Sequence, residues 1–155
     1  MSRARIVLHL AALLAPFAAV ALWSLVLFHD DLSHAIVEAL AFGAAAALAA
    51  QIAAALRWRA LERRARENRG GWQTGIGMAA ITHVLFGVFV DAALVFATGW
   101  TASMGTGKPT DLIAQVIFFT LISLTTVGLI TFPFTALVAQ WVAGLRRREL
   151  ADVAR

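Results

Sequence analysis

The chain of 155 residues is 61% hydrophobic and 14% charged, with a formal net charge of +4 and a mean hydropathy of +0.79. Water-soluble globules carry under half apolar residues and about a quarter charged ones, so this composition excludes one and makes lipid the solvent for much of the chain. The absence of cysteine excludes disulfide frameworks, thiolate zinc sites and thiol catalysis.

A membrane-crossing helix needs about 20 mostly apolar residues for a hydrocarbon core of about 30 Å. Residues 6–28 form the first such run. Arg3 and Arg5 precede it, as they would precede a secretory signal, but the run is longer than a signal's and ends at 23–31 without a small-x-small cleavage site. It is therefore read as a retained helix. The turn after it gathers His29, Asp30, Asp31, His34 and Glu38. His34 and Glu38, four residues apart, would share a helix face and with His29 could supply the imidazole and carboxylate ligands of a divalent metal. Asp30, Asp31 or Ser33 could equally cap the second helix, whose dipole favours acidic groups at that end.

The second run, 35–56, contains twelve alanines in 22 residues, with Ala35, Ala39, Gly43 and Ala47 recurring every four. In lipid, helices associate through packing and hydrogen bonds, so Ala39, Gly43 and Ala47 are expected at a helix contact, in the bundle centre or at an oligomer seam. Beyond Leu56 the helix should continue along the membrane surface. Trp58, Leu61 and Ala65 would form its apolar stripe, Glu62–Arg66 and Arg63–Glu67 its i,i+4 pairs, and Gly70-Gly71 its stop.

The third run, 75–98, places His83, Gly87 and Asp91 on one stripe. Ionisable groups at membrane depth are costly and point to function. Asp91 should lie roughly 10 Å inside one membrane surface, and Glu38 about one turn inside the same surface. Together they would exchange protons, with His83 as a deeper relay. Alternatively, Asp91 bonds Thr98, Ser123 or Thr125 while Glu38 reaches water. Gly105-Thr106-Gly107-Lys108, next in the chain, lacks the full spacing of a phosphate-binding loop.

The fourth run, 112–145, has 34 residues. As one helix it would be about 51 Å long, so it must protrude, tilt or break, with the expected kink at Pro133. The hydroxyls of Thr131 and Thr135 stand close to the backbone groups that the proline frees.

Arg3 and Arg5, six arginines from 57 to 69, and Arg146, Arg147, Arg148 and Arg155 are twelve of the thirteen basic residues, and all fall on one side of this topology. Both termini are therefore expected in the cytoplasm of a bacterium, with the chain in the inner membrane. The basic charge reads as a topology signal rather than as a nucleic-acid site. Shifting the chain by 89 residues aligns 47–66 with 136–155 at eleven identities in twenty, including Gln51 with Gln140 and Arg57 with Arg146.

These features imply an all-α membrane protein of four transmembrane helices in two tandem hairpins, 1–69 and 70–155, related as a parallel repeat. The layout is similar to that of a small proteobacterial efflux family built from paired hairpins, although its acidic first-helix motif and its Trp-Asn and Phe-Asn signature do not occur here. No catalytic motif is present. The expected function is non-enzymatic, as a homo-oligomer or an accessory subunit among other membrane chains, with no cofactor. Two alternatives are a proton-coupled transporter using Glu38, His83 and Asp91, and divalent-metal binding at the periplasmic face through His29, His34 and Glu38.

Overall fold

The computed structural model describes residues 1–27, 31–98 and 108–154. They form α1 (Arg3–Leu27), α2 (Leu32–Arg66), α3 (Trp72–Thr98), α4 (Pro109–Ser123) and α5 (Leu129–Val153), with a π-helical segment, Leu124–Gly128, between α4 and α5. The joints on either side of that segment keep right-handed helical dihedrals, so α4, the segment and α5 are one continuous fourth helix. Four stretches are long and apolar enough to cross a membrane: Arg3–Val26, Ala39–Arg66, Trp72–Ala97 and Thr110–Val153.

Local chemistry sets most helix ends. The Ser2 hydroxyl accepts the Arg5 amide at 3.3 Å and caps α1. Pro109 opens α4, where its missing N–H costs nothing, and the Asp111 carboxylate accepts the Lys108 amide at 3.3 Å. The stop of α2 differs from the expected glycine pair. Asn68 takes a left-handed conformation (φ 53°), Arg69 N–H bonds the Arg64 carbonyl at 2.8 Å and Asn68 N–H bonds that of Ala65 at 3.2 Å. That Schellman arrangement ends the helix before Gly70 is reached. Pro133 lies inside α5, and the departure from α geometry sits more than a turn earlier, in the π-helical segment.

Consecutive helices pack side by side, α1 on α2, α2 on α3, and α3 on both α4 and α5, while α1 and α2 also meet α5. The tight core lies at the end where the arginines gather. There Ala4 and Leu8 of α1, Ala53, Ala54, Trp58 and Leu61 of α2, Met78 of α3, and Ala139, Val142 and Ala143 of α5 form one buried cluster. The stripe Trp58, Leu61, Ala65 is thus buried inside the bundle rather than laid on headgroups, because the N-terminus of α1 and the end of α5 cover it. Around this cluster Arg146 pairs with Glu62 and with Glu149 (3.1 Å), and Glu149 accepts the Ala4 amide at 3.0 Å, tying three helices together. The other pairs of this end are exposed, Glu62 with Arg66 and Glu67 with Arg69. Elsewhere large apolar side chains face outward, Phe96 at 95% and Leu129 at 84% exposure, which only a lipid solvent makes favourable.

Small residues set how closely α3 meets the fourth helix. A Cβ on Gly75 would stand 2.6 Å from Ala136 Cα, and one on Gly87 would stand 2.8 Å from the Val116 carbonyl oxygen. Neither space can hold a side chain without moving backbone. Gly75→Val is expected to destabilise the bundle by about 1–3 kcal/mol. The readout is the thermal midpoint in detergent, and an unchanged midpoint would contradict this close approach.

Candidate functional site in the helix bundle

Gly71, just before α3, and Gly75, His83 and Gly87 of α3, spaced in multiples of four, all meet the fourth helix. Helical periodicity puts such a row on one slowly drifting face. Its small members bring the backbones together, and His83 is thereby carried into the seam. His83 is 3% exposed. Its Nδ1 lies 2.7 Å from Ser123 Oγ and its Nε2 lies 2.7 Å from Thr131 Oγ1, and its ring stacks on Phe132 with centroids 5.6 Å apart.

A neutral imidazole has one donor and one acceptor nitrogen. One proton arrangement satisfies the whole group: Ser123 donates to Nδ1, Nε2–H donates to Thr131, and Thr131 donates to the Gly128 carbonyl at 3.3 Å. The π-helical segment makes this geometry available. Eight residues of regular α-helix would leave Ser123 and Thr131 about 80° apart around the axis. A π turn takes up one extra residue, which brings the two hydroxyls back to one face and onto one histidine.

His83, Ser123 and Thr131 stand in the wall of a cavity of about 630 Å³ bounded by all four long helices. Its other polar side chains among the described residues are the hydroxyls of Ser24, Thr82, Thr126 and Thr135 and the indole of Trp23, and the remaining lining is apolar. Thr82 and Thr126 direct their protons to the carbonyls of Met78 and Ile122, at 2.9 and 2.8 Å. Among the described residues no charged side chain lines the space.

The other residues singled out by sequence are distributed around this site. Asp91 is buried at 6% exposure, two turns from His83 along α3, and its Oδ1 has no hydrogen-bond partner among the described residues. Ser123, one of its expected partners, bonds His83 instead. Thr125 donates to the carbonyls of Leu121 and Ile122. Ala39, Gly43 and Ala47 are buried within the chain, and Gly43 lies under the Phe17 ring of α1. His29 falls outside the described residues, as do the side chains of His34 and Glu38, so the pairing of Glu38 with Asp91 and the metal site fall outside them too. Among the described residues no three histidine, aspartate or glutamate side chains gather as metal ligands.

Sequence reasoning missed the partners of His83, because hydroxyls in an apolar helix carry no pattern of their own. It also missed two glutamine ties. Gln51 spans to α1, with Nε2 donating to the His9 carbonyl at 2.6 Å and Oε1 2.7 Å from His9 Nδ1. Gln140 Oε1 accepts the Gly71 amide at 2.8 Å. Both glutamines stood out only as matched positions in the 89-residue shift.

Comparison with known proteins found no matching family model, no similar curated protein and no similar solved structure. The chemistry of the site therefore rests on its own geometry. His83→Ala should cost about 1–3 kcal/mol, since it strips partners from two hydroxyls in the seam. A double-mutant cycle with Ser123→Ala should return a coupling above about 0.5 kcal/mol. Strict additivity would show that the two side chains do not interact.

Proposed function

We propose that the chain is a non-enzymatic multi-pass protein of a bacterial inner membrane, both termini cytoplasmic, acting as a homo-oligomeric or accessory subunit of a membrane assembly. The burial of α1 carries this reading. Only 6% of its span is buried by the rest of the chain, against 44% of the α2 span. Leu14, Leu22 and Val26 present more than half their surface outward. A helix with so few buried residues, packed on one flank only, offers a continuous apolar face to another chain, and in lipid such faces associate through packing. The Ala/Gly face of α2 is already occupied by α1, so α1 rather than α2 is the proposed seam.

The distribution of arginines supports the orientation, since α1 begins and α2 and α5 end at the same Arg-rich end. Duplication of a hairpin is supported by positions related through the 89-residue shift: Ala53 with Val142 and Ala54 with Ala143 are all buried in one cluster, as a pseudo-twofold axis along the bundle requires.

Native mass spectrometry of gently extracted protein is expected to show the chain in a fixed ratio with itself or with other membrane chains. A monomer under those conditions would overturn the subunit reading.

The buried, incompletely bonded carboxylate of Asp91 favours a second reading, a small proton-coupled transporter. On that reading Asp91→Asn abolishes a proton-linked flux in vesicles while the protein still inserts. Unchanged flux would remove Asp91 from the mechanism.

A further inference from the structure

The cavity is too large to be a packing defect. Small-molecule sites run from about 300 to 1,000 Å³ and combine apolar walls with a few convergent polar groups. At about 630 Å³, with hydroxyls and one imidazole among apolar residues, this space falls within that class. From these observations we infer that the cavity is a binding site for one uncharged, long-chain lipid bearing a hydroxyl head.

Three features define that occupant. The first is charge: no Asp, Glu, Lys or Arg among the described residues lines the space, so an ionised head would be buried without a counter-charge, at a cost that shifts it out. The second is length. The lining runs from Leu8 to Ser24 along α1 and from Phe119 to Val138 along the fourth helix. That is about 24–28 Å of helix axis at 1.5 Å per residue. An elongated chain fills such a space, whereas a compact solute leaves much of it empty.

The third is the direction of the hydrogen bonds. On the wall formed by α3 and the fourth helix, Thr82, Thr126 and Thr131 give their protons to backbone carbonyls, and in the proton arrangement described above Ser123 gives its proton to His83. Their oxygens keep lone pairs for an incoming donor. Across the cavity Ser24 of α1 is 4% exposed and makes no hydrogen bond to a described residue, so its hydroxyl can donate or accept. A hydroxyl head both donates and accepts and suits this set. A carbonyl head only accepts, and on the α3 side the hydroxyl protons of Thr82, Thr126 and Thr131 are already committed, leaving Thr135, with the Trp23 indole N–H of α1, as the donors it could use.

Entry follows from the packing. α4 packs mainly on α3, and α1 meets α5 at the Arg-rich end through Ala4 and Leu8. α1 and α4, which both line the cavity, make no extensive contact with each other, and on this proposal the lipid passes between them sideways from the bilayer.

The test uses the full-length protein in detergent with a diazirine-bearing hexadecanol as photoaffinity probe. Saturable labelling of cavity residues is expected, with unlabelled hexadecanol competing and palmitate (ionised at about pH 8) and methyl palmitate competing at least several-fold less well. Thr126→Val, which removes one acceptor outside the His83 group, should weaken competition by hexadecanol roughly three- to tenfold. Ala19→Trp, which fills the space, should abolish cavity labelling, and Ala46→Leu replaces it if the larger variant does not elute as a single species. A bound neutral hydroxyl lipid in native spectra of the protein as extracted identifies the bilayer as the source. Protein that arrives empty but takes up the probe saturably points to a lipid supplied from elsewhere. Labelling spread without saturation over the outer faces, or equal competition by all three lipids, would overturn the proposal.

Discussion

The close approach of α3 to the fourth helix is the constraint from which the rest of the interior follows. Lipid tails are as apolar as leucine, so two helices gain nothing by hiding from them, and what holds the pair is contact at short range and hydrogen bonds. Glycines at 71, 75 and 87 permit that contact. Once the backbones are that near, a histidine in the same row reaches hydroxyls on both sides of the π-helical segment without any longer side chain. The polar seam is a by-product of the small one.

The molecule is built unevenly along its length. At the Arg-rich end α1, α2 and α5 close on a core of alanine, valine and leucine, and the charges around it are shared across helices by Arg146, Glu62 and Glu149. From that core toward the opposite end the cavity runs between the helices. Alanine explains part of this contrast: it makes a close-packed core only where backbones nearly touch, and where they part it leaves space that no side chain fills.

Sequence made the four long apolar helices legible and their starts within about four residues, though the second and fourth run eight to ten residues further, because crossing a membrane demands an uninterrupted apolar run whatever the helix packs against. Ends and registers were less legible. Gly70-Gly71 looked like the stop of α2, but Asn68, one of the few other residues that tolerates a left-handed conformation, stops it first, and the glycines serve the contact with α5 instead. The overlong fourth run pointed to an irregularity, and Pro133 drew attention to itself. The π turn lies in Leu124–Gly128, a stretch of ordinary helix-compatible residues, and depends on tertiary bonds that no local pattern records. His83 was legible as a costly polar residue, yet its hydroxyl partners were not, since serine and threonine also bond their own helix backbones.

Beyond Leu8, α1 is a wall braced on one flank, with α2 on one side and the cavity on the other. Its 25 residues make a lever of about 38 Å. A tilt of about 5° at the Arg-rich anchor moves the far end by about 3 Å, roughly the width of a hydrocarbon chain's wall contact. The volume enclosed by the bundle is therefore set by a small angle at one end, and anything that grips the exposed face of α1 holds mechanical control over the interior.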